Sequence, residues 1–255
     1  MARRVGGFRA HKLPFGAHAK YCGDADEACV TEFVRKHTTI PVPKVLDVLY
    51  VPSSPHPERR YLMISTTIPG TPLFIQGQGH RLLHASEEQL AHVKDVISDW
   101  IKQLRTLHSP YGGRVCGFLG GSFRSYRIGE VSGPFETVAE FHAQPFSTIW
   151  PEHFDTASPH VRQLILDRPR KAYKIHLVHG DLLLHNILAD NDLRPTGLID
   201  WECAAWMPEY WEVAASTRSH FGRMWCWKDI VRDAFPRYDD DLAVDYQLQL
   251  GWDGN

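Results

Sequence analysis

Apolar residues in the first sixty positions come in short blocks broken by turn residues, the spacing of strands around a single helix. Pro14, Phe15 and Gly16 separate two such blocks and predict a hairpin. From Asp24 to His37, Ala28, Val30, Phe33 and Val34 lie near helical spacing, and Pro41 and Pro43 stop the helix. Val45 to Val51 and Tyr61 to Ile64 predict two strands, joined through Pro52, Ser53, Ser54, Pro55 and Pro57 by an exposed loop. The first unit is therefore expected to be a sheet carrying one helix.

The breakers from Ser65 to Gly70 end that pattern and set a lobe boundary, with 1–68 as the first unit and 69–255 as a mainly helical second. Ser86 and Gln89 form a capping box, after which Leu90, Val93, Ile97, Ile101, Leu104 and Leu107 recur every three or four residues. That periodicity predicts a long helix with one buried face. Tyr111 to Gly133 is glycine-rich and aperiodic, an irregular connection, and a further helical pattern runs from Glu136 to Phe146.

A chain of 255 residues that is 43% apolar and 23% charged has the make-up of a globular protein, which excludes disordered, collagenous and coiled-coil classes. Lys+Arg 28 against Asp+Glu 30 leaves a net charge of -2, too little positive field for a nucleic-acid partner. Cys22, Cys29, Cys116, Cys203 and Cys226 are odd in number, scattered and without a CxxC pair, which predicts reduced thiols and a cytoplasmic setting. No apolar run approaches the ~20 residues of a membrane span, and the N-terminus lacks the apolar core of a secretory signal. Arg3, Arg4, Arg9, Lys12 and Lys20 with no acid among them give the first twenty residues a presequence-like charge, but serine is missing and Pro14 intervenes.

Candidate chemistry gathers between His176 and Glu202. Two apolar strands, Ile187 to Ala189 and Gly197 to Ile199, flank a turn of Asp190, Asn191, Asp192 and Pro195. Opposed positions in an antiparallel hairpin have a constant sum, so a turn centred near Asp192 or Leu193 sets Asn186 opposite Ile199 or Asp200. An amide oxygen and a carboxylate then meet at the open end, hard oxygen ligands of the kind that suit Mg²⁺. Asp181, on the loop entering the hairpin, is placed to accept a proton from a hydroxyl nucleophile. The order His179, Asp181, Asn186, Asp200 is that of a kinase catalytic loop followed by a metal-binding Asp.

The strings HGDLLLHN and LIDWE, with HTTIPVPKV and PEYWE, resemble the aminoglycoside phosphotransferase and choline kinase group of protein-kinase-like enzymes, especially its fungal members, from about Lys20 to Glu212. The resemblance implies an α+β, protein-kinase-like two-lobed fold, with a small N-terminal nucleotide-binding sheet lobe and a larger, mainly helical catalytic and substrate lobe. It implies ATP and Mg²⁺, and transfer of the γ-phosphoryl group to a hydroxyl of a small molecule. Asp181 would be the catalytic base, His179 the brace of its loop, and Asn186 and Asp200 the Mg²⁺ ligands. Lys20 would contact the nucleotide phosphates with Glu27 as its helix partner, and the backbone of Ser65, Thr66 and Thr67 would meet the adenine. Relatives place a glycine-containing strand pair before the lysine, whereas nineteen residues precede Lys20. That leaves room for one strand and a turn, an apparently truncated lobe in which Gly6 and Gly7 read as terminal backbone rather than a phosphate cover. Weak nucleotide binding is expected.

Two rival readings are a pseudokinase scaffold without nucleotide affinity and a zinc hydrolase built on His176, His179 and His185. From Asp200 to Asn255 there are eleven acids against five Lys and Arg. Glu202, Glu209 and Glu212, among Trp201, Trp206, Trp211, Trp225 and Trp227, point to a cationic acceptor if they line a pocket, and to a solvated face over a core if they do not.

Overall fold

The computed structural model describes residues 3–4, 10–56, 58–128, 130–144, 151–218, 225–235 and 238–250. The first unit runs β1 (Arg3–Arg4), β2 (Ala10–Leu13), β3 (Ala17–Cys22), α1 (Asp26–His37), β4 (Val45–Tyr50) and β5 (Tyr61–Thr66). These strands form one antiparallel sheet in the order β1-β2-β3-β5-β4. The predicted hairpin is β2–β3, turned by Phe15 and Gly16 in left-handed conformation (φ 61° and 70°). Two strands, not one, precede β3: the pairing of Arg3 with Lys12 and Arg4 with His11 suffices to add an edge. Gly6 and Gly7 lie outside the described residues.

Helix α1 opens with Asp26 and Glu27 and closes with Arg35, Lys36 and His37, charges that match the helix dipole at both ends. Its Ala28 packs with Cys22 and Met63 beneath the sheet, while Val30 and Val34 reach the main core. The loop between β4 and β5 is not wholly exposed as expected, because Arg59 is buried.

The second unit continues with β6 (Thr71–Pro72), β7 (Phe74–Ile75), β8 (Gly79–His80), α2 (Glu87–Thr106), β9 (Cys116–Gly117), β10 (Phe123–Ser125), β11 (Glu130–Ser132), α3 (Val138–His142), α4 (Pro151–Thr156) and α5 (Pro159–Asp167). It ends with β12 (Ile175–Val178), β13 (Ile187–Ala189), β14 (Pro195–Leu198), β15 (Ala205–Pro208), α6 (Trp211–Arg218), α7 (Trp225–Ala234) and α8 (Asp239–Leu250). Immediately after the crossover, Thr71 and Pro72 pair with Ala189 and Leu188. The turn requires glycine there: Gly70 has φ +122°, and a Cβ would lie 2.4 Å from Thr196 Oγ1.

Both bonds of the capping box form at the start of α2, Gln89 N–H to Ser86 Oγ and Ser86 N–H to Gln89 Oε1. Its inner face buries Val93, Ile97, Trp100, Ile101 and Leu104, each such side chain contributing about 1.5–3 kcal/mol. The Tyr111–Gly133 stretch, expected to be irregular, carries β9 and the β10–β11 hairpin. Of the helical pattern from Glu136 to Phe146, α3 covers five residues, and 145–150 lie outside the described residues. Trp201, Trp206, Trp211 and Trp227 are core residues, so they line no cation pocket; the side chain of Trp225 lies outside the described ones. All five cysteines are free thiols. No described helix is long and apolar enough to cross a membrane.

Candidate active site

The hairpin β13–β14 pairs Ile187 with Leu198 and Leu188 with Gly197. The register extends to Asn186, whose carbonyl accepts the Ile199 N–H at 3.0 Å, so Asn186 stands beside the residue preceding Asp200. Asp200 has φ 68°, a left-handed conformation uncommon outside glycine and tolerated by Asp. Its Oδ1 accepts from Lys20 Nζ at 2.6 Å, and the same ammonium donates to Glu27 Oε1 at 2.7 Å. The lysine of β3 thus meets the acid of α1, and it also meets the acid after β14, a contact the sequence reading did not include. Burial works against the charge of Lys20, but Glu27, Asp200 and Glu202 outweigh it and hold the amine well above its ordinary range.

Asp181 and Asn186 share one loop. The Asn186 amide donates to Asp181 Oδ2 at 2.8 Å and to the Asp181 carbonyl at 2.9 Å, and His185 Nε2 lies 3.3 Å from the same Oδ2. Both of these side-chain contacts use Oδ2 of Asp181 rather than Oδ1. His179 is fully buried beneath Trp201 at a ring separation of 4.6 Å. Its Nδ1 accepts the Asp181 N–H at 3.3 Å, which puts the ring proton on Nε2, 3.0 Å from the Ile199 carbonyl. Burial lowers the His179 pKa, consistent with this neutral tautomer. One imidazole therefore ties the Asp181 loop to the strand end that carries Asp200.

Glu212, in the first turn of α6, anchors the loop from behind. Its carboxylate accepts the N–H of His179 at 2.5 Å and of Gly180 at 3.2 Å. Burial pushes its pKa up to about 7 against the pull of those N–H groups. Gly180 has φ +78°, and a Cβ there would meet the Cys203 carbonyl at 2.3 Å, so the loop passes where only glycine fits.

Several expectations are corrected here. Both ring nitrogens of His179 are committed within the protein and His176 sits in a strand paired with β15, so no zinc triad forms. Among the described residues the one cluster with metal-ligand spacing is Glu27, Asp200 and Glu202, without histidine. The three acids taken as a wall for a cationic acceptor are engaged internally. Glu202 pairs with Arg59 at 2.6 Å and accepts from Tyr126, Glu209 accepts from Tyr238 and the Lys174 N–H, and Glu212 accepts the N–H groups of His179 and Gly180. Burial of Glu202 favours its neutral form, but Lys20, Arg59 and Tyr126 overcome this and hold it at about 2. At the end of β5, the N–H of Thr66 donates to Lys44 O and that of Thr67 to Gly16 O, and Ser65 is buried in the β3–β5 pairing. In this geometry those two N–H groups are not offered to a base.

Arg59, Tyr126 and the structural roles of Glu202 and Glu212 escaped the sequence reading. Arg59 lies in a polar turn that looks solvated. Glu212 did leave a trace: a lone acid in the apolar run Trp211, Val213, Ala214 has nowhere to go but inward.

The donor set suits Mg²⁺. With the Asn186 nitrogen spent on Asp181, its side-chain oxygen is the atom left to face a cation, and Asp200 bonds Lys20 through one oxygen only.

No curated protein sequence gives a significant match. Among solved structures, an apo thermostable mutant of aminoglycoside phosphotransferase APH(4)-Ia superposes with TM-score 0.61 and 19% identity, covering 98% of this chain and 84% of that one. The same enzyme in ternary complex with AMP-PNP and hygromycin B gives 0.60 at 20% identity, over 99% and 84%. Wild-type aminoglycoside 2'-phosphotransferase-IIIa in its GDP complex gives 0.60 at 13%, over 98% and 81%. The family model described as the phosphotransferase enzyme family, APH, matches residues 25–254. With a kinase-like sheet lobe, a helical lobe and that match over nearly its whole length, the chain belongs to the APH phosphotransferase enzyme family.

Proposed function

We propose that the protein is a cytoplasmic, ATP- and Mg²⁺-dependent kinase that transfers the γ-phosphoryl group to a hydroxyl of a small, cationic molecule. Residues 1–68 would form the nucleotide-binding lobe and 69–255 the catalytic and substrate lobe. The observation that carries this reading is two bonded pairs, Lys20–Asp200 at 2.6 Å and Asn186–Asp181 at 2.8 and 2.9 Å, brought side by side by the Ile199 N–H that donates to the Asn186 carbonyl at 3.0 Å. In the reaction the acceptor oxygen forms a bond to the γ-phosphorus, the bond from that phosphorus to the bridging oxygen breaks, ADP leaves, and the hydroxyl proton passes to Asp181. Lys20 binds phosphate oxygens, Glu27 holds Lys20 in place, and Ser65, Thr66 and Thr67 border the base. Asn186 and Asp200 hold Mg²⁺, which when bound neutralises phosphate charge. His179 positions the loop that carries Asp181 without touching the reacting atoms.

The cationic character of the acceptor is supported by the neighbouring aminoglycoside phosphotransferases, solved with hygromycin B and with kanamycin, since the acids after Asp200 that first suggested it are engaged internally. The test separates the two carboxylates. Asp200→Ala is expected to abolish Mg²⁺-dependent nucleotide binding, whereas Asp181→Asn keeps binding and slows transfer by roughly 10²- to 10⁴-fold. Equal loss of binding in both variants would overturn the roles. Release of ADP over a panel of aminoglycosides, amino alcohols and neutral sugars tests the acceptor, and preference for anionic acceptors would refute its charge. Absence of Mg²⁺-dependent nucleotide binding in the wild type even at several millimolar would leave the scaffold reading in its place.

A further inference from the structure

Glu27, Asp200 and Glu202 bring carboxylate oxygens within 4.8 Å of one another around a single ammonium, that of Lys20. One positive charge cannot balance three negative ones in a buried site, and the third carboxylate would draw Lys20 away from the other two. The remaining compensation comes from the loop between β4 and β5. There the Arg59 N–H donates to the His56 carbonyl at 2.8 Å and its own carbonyl accepts Ser54 Oγ at 2.6 Å, which aims the side chain inward. The guanidinium meets Glu202 at 2.6 Å with both side chains almost wholly buried (5% and 7% exposed), and it also reaches the Tyr21 carbonyl at 3.4 Å, one residue beyond Lys20.

The second oxygen of Glu202 accepts from Tyr126, in the turn between β10 and β11. The loop that leads from β9 into β10 touches the first turn of α1, where the Leu119 N–H donates to Asp26 Oδ2 at 3.3 Å, beside Glu27. One carboxylate, two residues past Asp200, thus fastens the sheet lobe, the Asp200 loop and the β10–β11 strap together.

We propose that Arg59 and Glu202 are positioning residues, a latch in which Arg59 neutralises Glu202 so that Lys20 stays on Glu27 and Asp200, aligned for nucleotide phosphates before they arrive. The latch rests on the nucleotide-site reading above and makes a prediction specific to charge. Arg59→Gln removes the guanidinium charge bonded to Glu202 and leaves Lys20 to be shared among three carboxylates, and the Kd for Mg·ATP, measured well below the unfolding transition, rises about tenfold, mid-range for coupled neighbours. Adding Glu202→Gln to Arg59→Gln removes the surplus charge and returns the Kd close to the wild-type value. Arg59→Lys, which keeps the charge, stays close to wild type as well. A residue that only supported the fold would lower the melting temperature and leave the Kd of the folded protein unchanged.

The double variant carries the test should Arg59→Gln alone fail to fold. Wild-type Kd in Arg59→Gln, a tenfold loss in the double variant, or a loss in Arg59→Lys equal to that in Arg59→Gln would each overturn the latch. If the wild type binds no Mg·ATP, the functional reading falls and hydrogen exchange of the nucleotide-free protein decides the latch by itself. Amides of 17–22 and 199–205 then exchange faster in Arg59→Gln and recover in the double variant, and unchanged exchange refutes the latch.

Discussion

Glu212 offers the most direct test of the site's physical basis. Its carboxyl is fully buried, and burial raises its pKa from the ordinary 4.5 to about 7. A folded state that binds the proton more tightly than the unfolded chain is favoured by acid. Between pH 4.5 and 7 the native protein carries the extra proton, so this group's stabilisation is present below the unfolded pKa and is lost as the pH rises through the folded one. Between pH 5 and pH 8 the two pKa values give a loss of about 2–3 kcal/mol. Burial is complete, so solvent screening takes little from that figure. His142 runs the other way: burial drops its pKa to about 3, so its stabilisation grows with pH up to 6.5. Wild-type data alone would blur the two. Urea unfolding of wild type and Glu212→Gln at pH 5, 6, 7 and 8 isolates the carboxyl, because His142 cancels in the difference. The stability of the wild type relative to the variant should fall by about 2–3 kcal/mol across the series, most of it by pH 7. A difference that stays flat, or climbs, would show that Glu212 is already ionised at pH 5 and would refute the assignment of burial as the dominant influence.

Other consequences are quicker to check. Gly180→Ala forces a Cβ against the Cys203 carbonyl in a left-handed backbone and should cost at least about 2 kcal/mol in urea titration, with transfer activity lost. Lys20→Ala strands Glu27 without its buried cation, so stability should drop by roughly 3–5 kcal/mol and the thermal shift with Mg·ATP should vanish. In the wild type that shift corresponds to about 1.4 kcal/mol at ten times Kd. Ser86→Ala removes one side of the α2 capping box and should cost about 1 kcal/mol with the nucleotide affinity unchanged. For His142→Phe, the wild-type advantage should shrink by about 4 kcal/mol as the pH falls from 6.5 to 3, and a pH-independent difference would contradict the buried, neutral imidazole.

How far each feature could be read in advance depended on how locally it is determined. The β13–β14 pairing was legible because turn residues fix a hairpin and alternation then carries the register to its open end, setting Asn186 opposite Ile199 or Asp200; the register shift between Leu188 and Ala189 left no such signal. Helix α2 was legible because period and cap agreed, although Trp100 joins the buried face unannounced. Three-residue strands such as β10 carry too little pattern to be recognised. Phe123 is held there by packing against Phe135 and Phe141, residues later in the chain. Arg59 illustrates a second kind of blindness: nothing in a Pro- and Ser-rich turn says that one of its two adjacent arginines points inward, since its partner Glu202 lies 143 residues away. Glu202, Glu209 and Glu212 were counted correctly as charge but misplaced, because composition does not say which acids already have partners.

The bond from Lys20 to Asp200 spans 180 residues, and this has a consequence for how the protein is made. On a ribosome adding roughly 5–20 residues per second, Lys20 and Glu27 emerge some 10–40 s before Asp200 exists. Throughout that interval the nascent sheet holds a lysine and a buried acid without the third partner, beside an edge strand, β4, that leaves Leu46, Leu49 and Tyr50 exposed even in the finished protein. The amino-terminal half is therefore the part most in need of shelter during synthesis, and a chain interrupted anywhere before Asp200 yields a sheet lobe whose lysine cannot be set for use.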